Sequence, residues 1–341
     1  MFTALICMGL APVRAQQSYK AVAYLEKLGR EINAINLDSW DYMSELAHGR
    51  NARNAEAKRK ELLRTSKLAL DKVSKMPDFN GSTQLRDSVV SFLRINYIIM
   101  NEDFGKILDM EAIAEQSYDN MEAYLLAKEL ANRKLDSAAD NMEAQQRAFA
   151  ISNGINLIEN KDKIAKKMEK IGDVIEYYNR IYLIFFKSRK QEAYLVDAMT
   201  KKDINGMEQN RNALSTAAAE GLQKIQSETS FRNDKTLLRS CRDALLFFQA
   251  EADTRIKGII DFYIHSASFE KLQQSFETKP KNERTSEDVN QYNAAVAKIN
   301  GEVNDYNRDN NDLNNNRTKV LTDWDKSVKN FMARYIPKYK L

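Results

Sequence analysis

Residues 287–335 read EDVNQYNAAVAKINGEVNDYNRDNNDLNNNRTKVLTDWDKSVKNFMARY. Apolar side chains recur at Val289, Tyr292, Val296, Ile299, Val303, Tyr306, Leu313, Val320, Trp324, Val328 and Phe331, and Asn310 and Arg317 fill two further positions of the same seam. The steps alternate three and four almost to the end, the spacing that two helices packed near +20° require. The seam passes through Asn304 to Asn316, a run whose composition alone suggests a loop. A loop there would expose Val303, Tyr306, Leu313 and Val320, each worth about 1.5–3 kcal/mol when fully buried. The helical penalty of Asn is smaller, about 0.5–0.7 kcal/mol relative to Ala. The pattern therefore predicts one helix from about Glu287 to Tyr335, about 70 Å long at 1.5 Å per residue. Its polar seam positions, Asn310 and Arg317, either satisfy each other inside a bundle or mark a face turned to solvent or a partner.

Outward from this helix, the rest of the chain has the same character. Its 341 residues contain 4 Pro and 11 Gly, too few breakers for anything but long helices. Apolar spacing predicts seven more: about Tyr19–His48, Ala52–Met76, Thr83–Met110 with a break near Gly105, Gln116–Ile151, Lys163–Met199, Met207–Glu228 and Lys235–Phe276. Asp78-Phe79-Asn80-Gly81 and Lys279-Pro280-Lys281-Asn282 are the clearest turns. The fold class is all-α, built as elongated antiparallel long-helix bundles.

The chain also resembles itself. A shift of 152 residues superposes Val22 on Val174, Ile32 on Ile184, Tyr42 on Tyr194, Leu62 on Leu214, Phe79 on Phe231, Leu85 on Leu237 and Leu93 on Leu245. The register then slips by about five residues and pairs Phe149 with Tyr306. This predicts an internal duplication giving two tandem four-helix units, residues 16–160 and 161–341, behind a leader of residues 1–15.

The leader reading rests on an uncharged apolar run, Phe2 to Ala11, followed by Pro12-Val13-Arg14-Ala15. Val13 and Ala15 suit the −3 and −1 positions of a signal-peptidase site, with cleavage between Ala15 and Gln16. The run is shorter than the roughly 20 residues a membrane span needs, and no later stretch approaches that length. Cys7 would leave with the leader, so Cys241, set among Leu237, Leu238, Leu245 and Leu246, reads as a buried, inert thiol. Ile6 before Cys7 departs from the small residue that a lipidated cysteine requires. Export to the periplasm or cell surface is the expected localisation.

Charge is nearly balanced, 52 basic against 48 acidic residues, so nucleic acid is not the expected partner. Nine basic residues fall between Arg50 and Lys75, and Arg53, Lys60, Arg64 and Lys67 share one helix face. Contact with an anionic surface is one reading of that face. A solvated surface is the plainer one, because no aromatic interleaves it for stacking on bases. Lys161, Lys163, Lys166, Lys167 and Lys170 read the same way. Glu45-Leu46-Ala47-His48 has the i,i+3 spacing of a metal-binding bundle helix, but His265 is the only other histidine and belongs to no second such motif. No metal or cofactor is expected. Aromatics at Tyr177, Tyr178, Tyr182, Phe185 and Phe186, and at Phe247, Phe248, Phe262 and Tyr263, have helical spacing and read as core; an apolar ligand pocket is their alternative use. Nucleophile-elbow, phosphate-loop, dinucleotide and zinc-protease motifs are missing from the sequence, and the remaining acidic residues lie on mixed-charge faces that read as solvated surface.

The leader, the Pro-poor repeated helices and the terminal Trp324…Phe331…Tyr335-Ile336-Pro337 resemble the all-helical exported surface proteins and lipoproteins of Gram-negative bacteria. That resemblance implies an extracytoplasmic helical interaction or scaffold protein, without enzymatic activity. It would engage another envelope or surface protein, or associate with itself. A module for a small apolar or lipidic ligand held between aromatic helices is the alternative.

Overall fold

A computed structural model describes residues 12–48, 52–157 and 163–336 of the chain. Ten α-helices and two single π-helical turns make up nearly all of it: α1 Pro12–His48, α2 Ala52–Ser74, α3 Gln84–Ile98, α4 Phe104–Ala114, α5 Tyr118–Ser152, α6 Lys163–Thr200, α7 Ile204–Ser227, α8 Thr236–Ala250, α9 Ile256–Thr278 and α10 Ser286–Tyr335. One π turn, Ile99–Asp103, joins α3 to α4, and the other, Glu251–Arg255, joins α8 to α9. Two isolated backbone bridges, Phe79 with Ser82 and Phe231 with Asp234, close tight corners. The fold is all-α.

The helix ends follow local chemistry. Ser117 caps α5 by accepting from the Asn120 amide at 3.1 Å, and Asp203 caps α7 by accepting from Gly206 at 3.0 Å. At the start of α10, Asp288 Oδ2 accepts from the Thr285 amide at 2.7 Å while Thr285 Oγ1 accepts from the Asp288 amide at 3.1 Å. This reciprocal box starts the fifty-residue helix that the sequence predicts, Asn-rich run included. Its burial is uneven, however. Leu313, Trp324 and Phe331 are buried, whereas Val289 and Val303 are 39% and 37% exposed. The seam is thus most deeply buried at Leu313, Trp324 and Phe331, with Val320 and Val328 half-buried between them.

The chain divides into two compact units, Met1–Asn179 with Met332–Leu341, and Arg180–Phe331. The division runs inside α6, where the sequence pattern set it at residue 160.

In the first unit the helices alternate in direction. Lys58 and Lys72 on α2 reach Asp41 and Glu31 on α1, so the two run antiparallel. Arg59 and Ser66 of α2 bond to Met100 and Asn96 in the same crossed order. Gln84 and Asp103 meet Gln145 and Lys134 of α5, and Ser18 and Tyr24 of α1 meet Asn153 and Phe149. This is an up-down-up-down four-helix bundle whose core includes Leu28, Ile32, Ile35, Leu62, Leu93 and Phe104. The second unit shows the same sense. Lys187 and Tyr194 of α6 meet Glu220 and Asn210 of α7, and Phe185 and Glu192 of α6 meet Trp324 and Arg317 of α10.

The two π turns explain why the third and seventh predicted helices are not uniform rods. The sequence placed a break near Gly105, and the π turn ends two residues before it. No break was expected in Lys235–Phe276, yet Glu251–Arg255 interrupts it. A π turn widens the helix by one residue and loosens its i→i+4 ladder locally. In the first unit Arg59, itself buried, donates Nη1 to the Met100 carbonyl of the turn at 2.7 Å and is neutralised by Glu56.

Element bounds recur at the 152-residue spacing. Adding 152 to α3 gives α8 end for end, and adding it to the first π turn gives the second. The corner Phe79–Ser82 maps onto Phe231–Asp234, and the left-handed pair Asn80 and Gly81 (φ 50° and 82°) maps onto Arg232 and Asn233 (φ 49° and 66°). Beyond α9 the correspondence changes. Phe79 packs edge-on against Phe149 at 5.1 Å, and Phe231 packs edge-on against Phe331 at 5.7 Å. In packing, Phe331, 182 residues on from Phe149, takes against Phe231 the place that Phe149 takes against Phe79, while Tyr306, which the sequence comparison selected, stacks on Phe262. The same spacing pairs Tyr124 with Tyr306, Ala131 with Leu313, Met142 with Trp324 and Ala150 with Met332. The two spacings differ by 30 residues, which enter as a longer α9–α10 hairpin in place of the three-residue link Glu115–Ser117.

Candidate functional site

The most unusual chemistry lies inside the second unit. Glu192 on α6 is 2% exposed, Glu251 at the head of the π turn 1%, and Arg317 on α10 7%. Arg317 Nε lies 2.8 Å from Glu251 Oε1 and 2.9 Å from Glu192 Oε1, and its Nη2 also bonds Glu251. Asn314 Oδ1 accepts from Arg317 Nη1 at 2.8 Å, and Arg189, one turn before Glu192, bonds the Glu192 carboxylate. Two buried carboxylates are thus paired with the buried Arg317 and the part-exposed Arg189, where an unpaired buried charge would cost several kcal/mol.

Burial pushes both carboxyls up from their ordinary range, and the neighbouring arginines oppose that rise. Glu251 is pushed up to about 7, with burial the largest cause and the Glu192 charge adding to it. Glu251 Oε2 is buried and meets no hydrogen-bonding group among the described residues. The cluster's chemistry is that of a fastening: it fixes α10 against α6 and the π turn.

Of the two predicted seam residues, the structure buries Arg317 in this cluster and leaves Asn310 half-exposed. They do not satisfy each other, because Arg317 finds its partners on α6, on the π turn and in Asn314. The general reading of acidic residues as solvated surface fails at Glu192 and Glu251. Their corresponding positions in the first unit are Trp40 and Ile99, and that of Arg317 is Leu135. An apolar trio in one unit is an ionic trio in the other.

Past the cluster, the α9–α10 hairpin carries an aromatic ladder. Tyr263 and Tyr306 share a hydroxyl contact of 3.0 Å, and Phe262 stacks on Tyr306 with ring centroids 4.4 Å apart. Tyr292 stacks on Phe276 at 4.3 Å, and Lys279 pairs with Asp288 at the tip at 2.5 Å. His265 Nδ1 lies 2.9 Å from Glu302, which makes it a half-buried, partnered residue as expected. Between Phe262 and Lys298 no described residue is buried, and Ile264 is 43% exposed.

The other sequence candidates resolve plainly. Arg53, Lys60, Arg64 and Lys67 are exposed, and Lys60 faces Glu56 at 3.5 Å. Their helix buries Leu62, Ala69 and Val73 on the opposite side. Phe185, Tyr177 and Phe248 are core, with Phe185 stacked on Trp324 at 4.3 Å. Cys241 is fully buried and its thiol is pushed up by that burial. Among the described residues no three His, Cys, Asp or Glu side chains converge on a metal-sized site. Ala15 and Gln16, the expected cleavage site, fall in the first turns of α1, while residues 1–11 lie outside the described residues. So do the side chains of His48, Lys161, Lys163, Lys166, Lys167 and Lys170.

Comparison of the chain with protein-family models, with curated proteins and with solved structures finds no match.

Proposed function

We propose that the protein is a non-enzymatic helical interaction protein of the periplasm or cell surface, and that the α9–α10 hairpin engages a partner protein of the envelope. The observation that carries this reading is the hairpin's seam. Its aliphatic and aromatic residues keep the three-four spacing of a packed face, yet Val289, Val303 and Ile264 remain between 37% and 43% exposed. Such a stripe is what a helix-in-groove or bundle-type contact uses. The first unit closes the same corner with three residues and no hairpin, so the extension is not needed to complete a bundle. Export is supported by the leader pattern ending at Ala15, and no described helix is long and apolar enough to cross a membrane. We further read the matching element bounds as a tandem duplication of one helical unit.

The test replaces residues 267–299 with the Glu-Gln-Ser link that joins α4 to α5. The shortened protein should keep its helical spectrum and lose the partner captured by in-cell cross-linking of the full chain. The same cross-linked partner on a folded, hairpin-less protein refutes the reading.

A further inference from the structure

The tight corner of the first unit opens on a cleft of about 220 Å³. Its floor is aromatic: Phe79 and Phe149, both half-buried, meet edge-on at 5.1 Å. Its rim is made of amides and hydroxyls, with Gln17, Asn80, Gln84 and Gln145 the longest of them. None of the eleven lining residues carries a charge, in a chain that is 29% charged. Such a lining offers nothing to pair with a phosphate, a carboxylate or a cation.

The rim is also organised. Gln84 Nε2 donates to Gln145 Oε1 at 2.8 Å, tying α3 to α5. Each amide then retains its other end, an acceptor oxygen on Gln84 and donor hydrogens on Gln145. A hydroxyl group, which both donates and accepts, can use the two together. The corner beneath is held by reciprocal backbone bonds between Phe79 and Ser82 of 2.9 and 3.0 Å, and by Asp78 accepting from the Gly81 amide at 2.6 Å. Preorganised polar groups of this kind set orientation at little entropic cost.

The second unit supplies an internal comparison. There Arg232 stands in the place of Asn80, Asp234 in that of Ser82 and Thr236 in that of Gln84. The Arg232 guanidinium lies over the Phe231 ring at 4.8 Å, and Phe331, the counterpart of Phe149, is 1% exposed. The same backbone corner therefore carries a guanidinium over its ring and a covered partner ring in one unit, and an uncharged residue beside half-buried rings in the other.

We propose that the first-unit cleft binds a neutral, hydroxyl-rich ligand, one ring of a saccharide, with the Phe79–Phe149 floor against its apolar face and the Gln84–Gln145 pair on its hydroxyls. The volume is below the roughly 300–1,000 Å³ of sites for drug-sized ligands, which fits one ring and not a chain of them.

Saturation-transfer NMR on the full chain tests this with glucose, galactose and N-acetylglucosamine as probes, and with glucuronate and inorganic phosphate beside them. The neutral sugars should receive saturation from the protein, with millimolar dissociation constants. Asn80→Arg, which imports the residue the second unit uses at the same left-handed φ, should abolish the signal with the melting temperature retained. Gln145→Ala, at a half-exposed helix position, should weaken binding about tenfold and keeps the test valid if the corner variant misfolds. The proposal is overturned if no neutral sugar receives saturation, if both variants bind as the parent does, or if glucuronate or phosphate is preferred.

Discussion

Replacing Arg317 with Leu should destabilise the second unit severely, and replacing its two acidic partners as well should restore it. The single change leaves Glu251 buried with no counter-charge in contact, while Glu192 keeps only Arg189. Breaking a buried ion pair by removing one partner costs about 3–5 kcal/mol. The triple change Glu192→Leu, Glu251→Ile and Arg317→Leu removes the charges together and approaches what the first unit holds at Trp40, Ile99 and Leu135. Well-packed apolar replacement of a buried ionic group is neutral or stabilising by about 1–4 kcal/mol. Arg189, whose side chain is 35% exposed, can turn to water in that background. The assay is urea unfolding followed by tryptophan fluorescence. The protein has 2 Trp, Trp40 in the first unit and Trp324 in the second, so a Trp40→Phe background reports on the second unit alone. Trp324 stacks on Phe185 at 4.3 Å, close to the cluster in the same helix pair, and will sense its loss. If the single variant loses less than about 1 kcal/mol, the range of exposed pairs, the cluster is hydrated and the argument fails. It fails equally if the triple variant is as unstable as the single one.

The same reporter should show an acid-favoured stability profile. Burial raises Glu251 from 4.5 to about 7 in the folded state, so the folded protein binds the proton more tightly than the unfolded chain. Stability from this group is fully present below pH 4.5 and is lost as pH rises through 7. Glu251→Gln should flatten the urea midpoint between pH 5 and pH 8; a parent midpoint that rises across this window contradicts the assignment. For export, N-terminal sequencing of protein recovered outside the cytoplasm should begin at Gln16, and an intact Met1 on cytoplasmic protein removes that half of the functional proposal.

Helix positions were legible because periodicity and breakers agree along this chain. The Asn-rich segment of α10 is the clearest example, where the three-four seam outweighed composition and the helix is continuous. The first π turn was legible only as a break near Gly105 and the second not at all, since one widened turn leaves the apolar spacing on either side almost unchanged. The hairpin itself was legible from its turn, but the register of the internal comparison past it was not. A seam repeating every three or four residues matches itself at many shifts, so Phe149 could be set against Tyr306 when its packing counterpart is Phe331. Glu192 and Glu251 were hidden because α6 and the segment around the second π turn also carry exposed acids and bases, and identity alone does not tell a buried carboxylate from a solvated one. One signal was present: at the 152-residue spacing, Trp40 meets Glu192 and Ile99 meets Glu251. An apolar residue aligned with an acid, twice, points to an interior charge.

The position of that charge bears on the hairpin. Glu251 stands five residues before α9 begins, and Arg317 lies on α10 eleven residues past Tyr306, the ladder's innermost rung on that helix. The cluster is therefore at the hairpin's root, inside the unit, while the outer rungs bury little. An apolar seam resists a one-turn slip of α10 weakly, because such a shift exchanges one hydrophobic contact for another. A guanidinium shared between two buried carboxylates resists it strongly, since the slip would strand both acids. A hairpin that presents a face to a partner needs its two helices in one register, and the cluster at its root adds to the stacked rungs in holding it. The first unit, with a three-residue link in place of the hairpin, has no such register to hold, and there the same three positions are apolar. The ionic trio stands at the root of the hairpin, where it resists a slip of α10 against α6 and the π turn.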